Sequence, residues 1–268
     1  MLLEVKDIYK SYPKESNILF KKTKIDVLSE VSFELNEGEC LGIIGESGSG
    51  KSTLGKIIIG LEKPSTGNVY LEGKDIFKFK SYKEQVKMRR DLSVVFQDYT
   101  SSVNPRFTVF DIIAEPLCII SKPDKQQLIK KITTLLDKVG LSITYLHRYP
   151  HELSGGQLQR VCIARAIATN PKFIVLDEAI SSLDVSIQKQ ILDLLIELKQ
   201  EYKLSYVFIT HDLTAITYIC DRVMFLKDGR VVERVEEIHE LSNIKHEYSK
   251  RLLNAVLDIE CHNKVISI

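Results

Sequence analysis

Apolar positions in this chain recur in two rhythms, and the switches between them mark its elements. Residues 2–9 and 27–35 alternate apolar and polar side chains, and the second run ends at Asn36-Glu-Gly38, a turn signal. They predict a small antiparallel β-region, with the polar, basic stretch Lys14–Lys24 as a solvated loop between its strands. Cys40–Ile44, Leu92–Phe96, Phe173–Leu176 and Tyr206–Ile209 are apolar almost throughout and rich in β-branched and aromatic residues, which predicts strands buried on both faces of a parallel sheet. Between them the spacing turns helical: Leu54–Ile59, then Leu128, Ile132, Leu135, Leu136 and Val139 ending at Gly140, then Leu158–Thr169, then Ile187, Ile191, Leu194, Leu195 and Leu198. Asn68–Glu72 reads as a strand closed by Gly73, and Ser81–Arg90 as a charged helix. From Tyr99 to about Pro150, Asn104-Pro105, Pro116 and Pro123 predict breaks into short helices, an inserted helical lobe. Arg222–Leu226 and Arg230–Val235, joined by Lys227-Asp-Gly229, predict a hairpin, and two short helices close the chain. The sum is a mostly parallel sheet covered by helices, with an antiparallel N-terminal part.

The chemistry gathers where strands stop. After Cys40–Ile44 comes Gly45-Glu-Ser-Gly-Ser-Gly-Lys-Ser-Thr53, followed by an apolar helical pattern, so a full G-x-x-x-x-G-K-[ST] stands in its strand–loop–helix context. Its glycines let backbone N–H groups turn inward, and the helix adds its positive end, which together hold polyphosphate. Lys51 reaches the β- and γ-phosphates and the Ser52 hydroxyl binds Mg²⁺. Asp177-Glu178 end the Phe173–Leu176 strand, where paired carboxylates suit Mg²⁺ binding and polarisation of a water. Gln97 follows one strand and Thr210-His211-Asp212 another, the places where ligands meet an α/β sheet. Leu153-Ser-Gly-Gly-Gln157 opens a helix, and read alone it is a competent N-cap that also offers N–H groups to an anion. Tyr12 lies just after the first strand, where an aromatic either stacks on a flat ring or packs.

Composition narrows the classes. With 268 residues and 44% hydrophobic content the chain can bury one large core. Lys+Arg 37 against Asp+Glu 36 leaves a net charge of +1, which gives no general attraction for nucleic acid or anionic lipid. Cys40, Cys118, Cys162, Cys220 and Cys261 stand singly and read as reduced, buried thiols of a cytosolic protein. The start has no basic region followed by an apolar stretch, and no run reaches the ~18 apolar residues of a membrane span.

Gly45–Ser52, Gln97, Leu153–Gln157, Asp177-Glu178, Ser181-Ser-Leu-Asp184 and His211, in that order, resemble the ATP-binding subunit of an ABC transporter over nearly the whole chain. The resemblance implies an α/β P-loop NTPase fold of the ABC-ATPase kind, with residues 1–97 and 157–245 as nucleotide-binding core and β-subdomain, 98–156 as helical signature subdomain, and 246–268 as a short helix and tail. It implies ATP with Mg²⁺ as cofactors. Tyr12 matches the adenine-stacking aromatic; Gly45, Glu46, Ser47, Gly48, Ser49, Gly50, Lys51, Ser52 and Thr53 match the phosphate cradle. Ser52, Gln97 and Asp177 match the Mg²⁺ residues, with Gln97 also matching the catalytic glutamine that senses the attacking water and couples it to the helical lobe, Glu178 the general base, and His211 the residue that holds the γ-phosphate and water. Ser154, Gly155, Gly156 and Gln157 match the signature that caps ATP on the opposite subunit, with Asp184 also at the nucleotide. The implied unit is a head-to-tail ATPase dimer, with a sister ATPase or a second copy, on two membrane permeases fed by an external binding protein. The implied location is the cytoplasmic face of the membrane, with no nucleic acid partner.

Where the family commonly has Pro-Thr this chain has Ala179-Ile180. Phe96-Gln-Asp98, Ser-Val-Asn-Pro-Arg106, Gln157-Leu-Gln-Arg-Val-Cys162 and His246-Glu-Tyr-Ser-Lys-Arg-Leu-Leu253 resemble the peptide/nickel importer branch. Val103, Ala179-Ile180 and the short tail resemble the second ATPase of nickel importers, so nickel uptake is the expected task and oligopeptide, dipeptide or metal-chelate import the alternative. A soluble ABC ATPase would carry two cassettes or a long coiled coil, and a small-molecule P-loop kinase would lack the signature and His211.

Overall fold

The computed structural model describes residues 1–14, 23–121, 123–181 and 183–255. In chain order its elements are β1 (Leu3–Lys14), β2 (Thr23–Leu35), β3 (Cys40–Ile44), α1 (Lys51–Ile58), β4 (Thr66–Leu71), β5 (Lys74–Asp75), α2 (Tyr82–Arg90), β6 (Leu92–Val95), α3 (Val109–Ile120), α4 (Lys125–Lys138), α5 (Gly155–Ile167), β7 (Phe173–Asp177), α6 (Val185–Tyr202), β8 (Ser205–Thr210), α7 (Leu213–Ile219), β9 (Arg222–Lys227) and β10 (Arg230–Val235), followed by α8 at 247–255. Most of the expected Lys14–Lys24 loop, Ser182 and Cys261 lie outside the described residues. The chain forms two compact units, Met1–Phe77 with Phe208 onward, and Lys78–Val207, and passes between them within β8.

In the first unit an antiparallel sheet runs β2-β1-β4-β5. The two long strands pair from Leu3↔Leu35 to Lys14↔Thr23, so the ends of the expected polar loop are strand instead. Their apolar alternation stops earlier because the outer part of this hairpin is held by ladder hydrogen bonds, which need no apolar face. Register shifts between Val5 and Ser11, with Asp7 at φ 49, interrupt the alternation that the sequence shows. β3 pairs in parallel with β9, and β9 pairs antiparallel with β10. Every residue of β3 is buried, as its unbroken apolar run requires. Asp228 (φ 47) and Gly229 (φ 75) form the two-residue turn between Lys227 and Arg230, the left-handed pair that a tight hairpin favours.

In the second unit β6 pairs in parallel with β7, from Leu92↔Phe173 to Val95↔Leu176. That register brings the chain after β6 and the chain after β7 out at the same end of the strands. α5 is buried over much of its length, from Leu158 to Ile167. α3 corrects one expectation, because Pro116 lies inside it and does not end it. A proline there removes one helical hydrogen bond. The helix survives on a Thr108–Asp111 capping box and on the burial of Val109, Ile112, Ile113 and Leu117. The same amphipathic placement corrects another: Cys118 is exposed on the opposite face, while Cys40, Cys162 and Cys220 are buried thiols outside any disulfide. No helix among the described residues is long and apolar enough to cross a membrane.

Candidate nucleotide site

The predicted site residues divide between the two units. Tyr12, Gly45 to Thr53 and His211 belong to the first; Gln97, Ser154 to Gln157, Asp177, Glu178 and Asp184 belong to the second.

In the first unit the loop leaves β3 and turns into α1, whose N-cap is Gly50, with no side-chain cap and no acidic residue in the first turn. A helix start of this kind leaves its N–H groups and dipole to an anion. Gly45 is forced by space, since a Cβ there would sit 2.2 Å from the Leu226 carbonyl oxygen of β9. Lys51 is only 6% exposed, and its Nζ donates to the carbonyls of Gly45, at 2.6 Å, and Glu46, at 2.9 Å. Its ammonium is therefore held over the loop. Ser49 Oγ is buried with no hydrogen-bond partner among the described residues, a polar group that a phosphate oxygen would satisfy. The donor set of the loop thus fits polyphosphate. The hairpin tip buttresses it: Gly229 N–H donates to the Ser49 carbonyl at 3.1 Å, and the Gly229 carbonyl accepts from Ser29 N–H at 2.8 Å.

Tyr12 pairs with Ile25 in the β1–β2 ladder. Its hydroxyl donates to Glu62, and the Lys10 ammonium lies 5.0 Å from its ring centroid. Burial first, then Glu62, holds the phenol above its usual range, while Thr53 of α1 acts in the opposite direction. The ring is thus anchored beside the end of the phosphate motif. His211 is exposed just past β8, and Asp212 next to it caps α7 by accepting from Thr214 and Ala215 N–H.

In the second unit Gln97 and Glu178 meet, Nε2 donating to Oε2 at 3.0 Å. Asp177, 7% exposed, ends β7, and Glu178 follows it in the left-handed region at φ 47. A non-glycine residue in that conformation is held there by its surroundings. The surroundings are specific: Ser181 donates to the Glu178 carbonyl through N–H and Oγ, and Gln159 Nε2 donates to the Ala179 carbonyl at 2.6 Å. Gln159 is completely buried, and its spacing within an apolar helix gave no sign of this contact. A turn after Gln97 is fixed by Asp98, whose carboxyl is held down at about 2 by hydrogen bonds from Ser101 and Thr100.

Ser154 and Gln157 form a complete capping box at the start of α5, and Gln157 Nε2 also donates to Tyr145 Oη at 3.0 Å. A Cβ on Gly156 would stand 2.9 Å from Ile187 Cγ2 of α6, so the signature glycine also serves packing. Asp184 is exposed and starts α6 through its carbonyl, without a side-chain cap. Among the described residues no group of three or more His, Cys, Asp or Glu could hold a metal. Taken singly, the oxygens of Ser52 in the first unit and of Gln97 and Asp177 in the second are of the hard kind that Mg²⁺ takes, an ion that draws few ligands from protein.

The sequence and fold recur in known proteins. The family model described as ABC transporter matches residues 28–181. A metal-staphylopine import system ATP-binding protein, CntF of Staphylococcus aureus, is 45% identical over 96% of this chain and 99% of its own length. An oligopeptide transport ATP-binding protein, OppF of Lactococcus lactis, is 41% identical over 97% of this chain and 81% of its own. Among solved structures, the dimeric ATP-binding cassette MJ0796 in a post-hydrolysis state, bound to ADP and Pi, superposes with a TM-score of 0.77 at 32% identity, covering 88% of this chain and 99% of that one. With its phosphate loop, signature helix and carboxylate pair in one polypeptide of this fold, the chain belongs to the ABC transporter family, as an ATP-binding subunit.

Proposed function

We propose that this subunit hydrolyses ATP to drive uptake of a transition metal, with nickel the metal favoured by its sequence and a small organic chelate the form in which it travels. One observation carries the cargo reading: the 45% identical relative is named for metal-staphylopine import. The peptide alternative keeps support from the 41% identical oligopeptide relative.

In this reading Lys51 and the 45–50 backbone bind the phosphates, Tyr12 stacks on adenine, and Ser52, Asp177 and Gln97 hold Mg²⁺. Mg²⁺, when bound, neutralises charge on the phosphates. Glu178 takes the proton of the attacking water and His211 orients it. The Gln97 bond to Glu178 keeps that carboxylate aimed. Ser154 to Gln157 and Asp184 act on nucleotide held by the opposite subunit of a head-to-tail dimer, a sister ATPase or a second copy.

The pair sits on two permeases at the cytoplasmic face of the membrane, served by an external binding protein. A groove of about 230 Å³ between α2 and α3, lined by Val86, Leu92, Pro116 and Ile120 together with Arg89, Arg90 and Arg165, and with Tyr82 and Ile119 exposed at its rim, would in this reading seat a permease segment. The test is uptake of radiolabelled nickel, free and chelated, in cells lacking the gene and complemented with wild type or Glu178→Gln. Restoration by wild type alone supports the reading. Unchanged metal uptake with lost dipeptide uptake moves the cargo to peptides.

A further inference from the structure

The His246-Glu-Tyr-Ser-Lys-Arg-Leu-Leu253 segment marks a branch in the sequence but has no part in the chemistry described so far. In the structure it reaches the phosphate loop. Tyr248, 1% exposed at the start of α8, accepts the Glu46 N–H through its hydroxyl oxygen at 2.8 Å. That N–H belongs to the same peptide group as the Gly45 carbonyl, which accepts from Lys51 Nζ at 2.6 Å. A trans peptide is planar, with its C=O and N–H on opposite sides. Tyr248 therefore holds one side of a plate whose other side Lys51 grips.

The segment is itself anchored. Glu233 of β10 accepts the N–H groups of Lys245 and His246, and His246 Nδ1 accepts Tyr248 N–H at 3.1 Å. The Lys227 ammonium, beside the hairpin turn, lies 5.3 Å from the Tyr248 ring centroid, a cation–π distance. Each of these contacts lies within the first unit.

We propose that Tyr248 is a positioning residue for nucleotide: it fixes the Gly45–Glu46 peptide, and through it Lys51, so that α8 and the phosphate loop are energetically coupled. The proposal rests on the phosphate-loop reading. Coupling is reciprocal, so nucleotide binding must in turn steady α8.

The test uses the purified full chain and Mg²⁺–ADP, with Tyr248→Phe, which keeps the buried ring and removes only the acceptor. The expected result is a roughly three- to tenfold rise in Kd, the net value of one hydrogen bond, with the melting temperature of the nucleotide-free protein lowered by only a few degrees. Amide exchange at 45–47 should quicken without nucleotide. The protection that ADP gives to 247–253 in wild type should be lost. A Kd within twofold of wild type overturns the proposal. Leu241→Ala serves as control, because it opens a buried site in the 238–243 turn, on the way from β10 to α8, without touching the hydrogen bond; if it raises the Kd as much as Tyr248→Phe, general loosening is the cause and the proposal falls. If Lys51→Ala still binds ADP, the phosphate-loop reading fails; if it loses binding while Tyr248→Phe retains it, only the coupling fails.

Discussion

The loop after β3 and the turn after β7 are built on opposite plans. The first is a backbone device, where Gly45 is confined by the Leu226 carbonyl and the lysine grips main-chain oxygens of its own loop. The second is a side-chain device, where Gln97 bridges to Glu178, Gln159 pins the Ala179 carbonyl, and Ser181 closes the turn. A backbone cradle binds groups that all nucleoside di- and triphosphates share. In the reading proposed above, the side-chain turn places Glu178 as one proton acceptor. The first should therefore fail in binding when altered, and the second in turnover.

The sharpest test of that division is Lys51→Ala, expected to weaken nucleotide binding by roughly a hundredfold or more through loss of charged hydrogen bonds, measured by calorimetry. Retained affinity would remove the loop from the site. Glu178→Gln comes next: nucleotide affinity is kept and the hydrolysis rate drops by on the order of a hundredfold or more, as for loss of a general base. Full turnover would break the comparison from the other side. Gln159→Leu removes the donor to Ala179 and should lower kcat several-fold while leaving the Kd for ATP unchanged; an altered Kd would show that the turn also serves binding.

The smallest effect concerns pH. Burial raises the pKa of Glu233, but the nearby Ser249 hydroxyl and hydrogen bonds from the N–H groups of Lys245 and His246 outweigh it and leave the group below its usual value. A lowered folded-state pKa stabilises above the ordinary carboxylate value and is lost as pH falls through it. Amide exchange at 244–249, corrected for intrinsic rate, should therefore quicken modestly below roughly pH 4. Constant protection there would show that packing alone holds this segment.

Much of this was legible in the residues. The Gly45–Thr53 motif declares itself because a glycine loop between a buried strand and an apolar helix is a local pattern, and so does the Lys227–Arg230 hairpin. What sequence concealed is long-range. Tyr248 meets Glu46 across 202 positions, and nothing near Tyr248 says where its hydroxyl goes. Gln159 sits in a helix as one more polar residue until its burial appears. Local rules about proline and thiols fail at Pro116 and Cys118 because they ignore which face of α3 is packed.

The turn at Asp228-Gly229 looks like the natural place to cut or extend this protein, a two-residue surface reversal with a flexible residue. It is the reverse. A Cβ on Gly229 would lie 2.3 Å from the Val27 carbonyl oxygen, and the residue bonds to Ser49 on one side and Ser29 on the other. A peptide tag or new chain termini engineered there would separate the phosphate loop from the strand behind it. Loop tips normally tolerate insertion because their backbone is unengaged; here the tip is a joint, and affinity handles or permuted ends belong elsewhere.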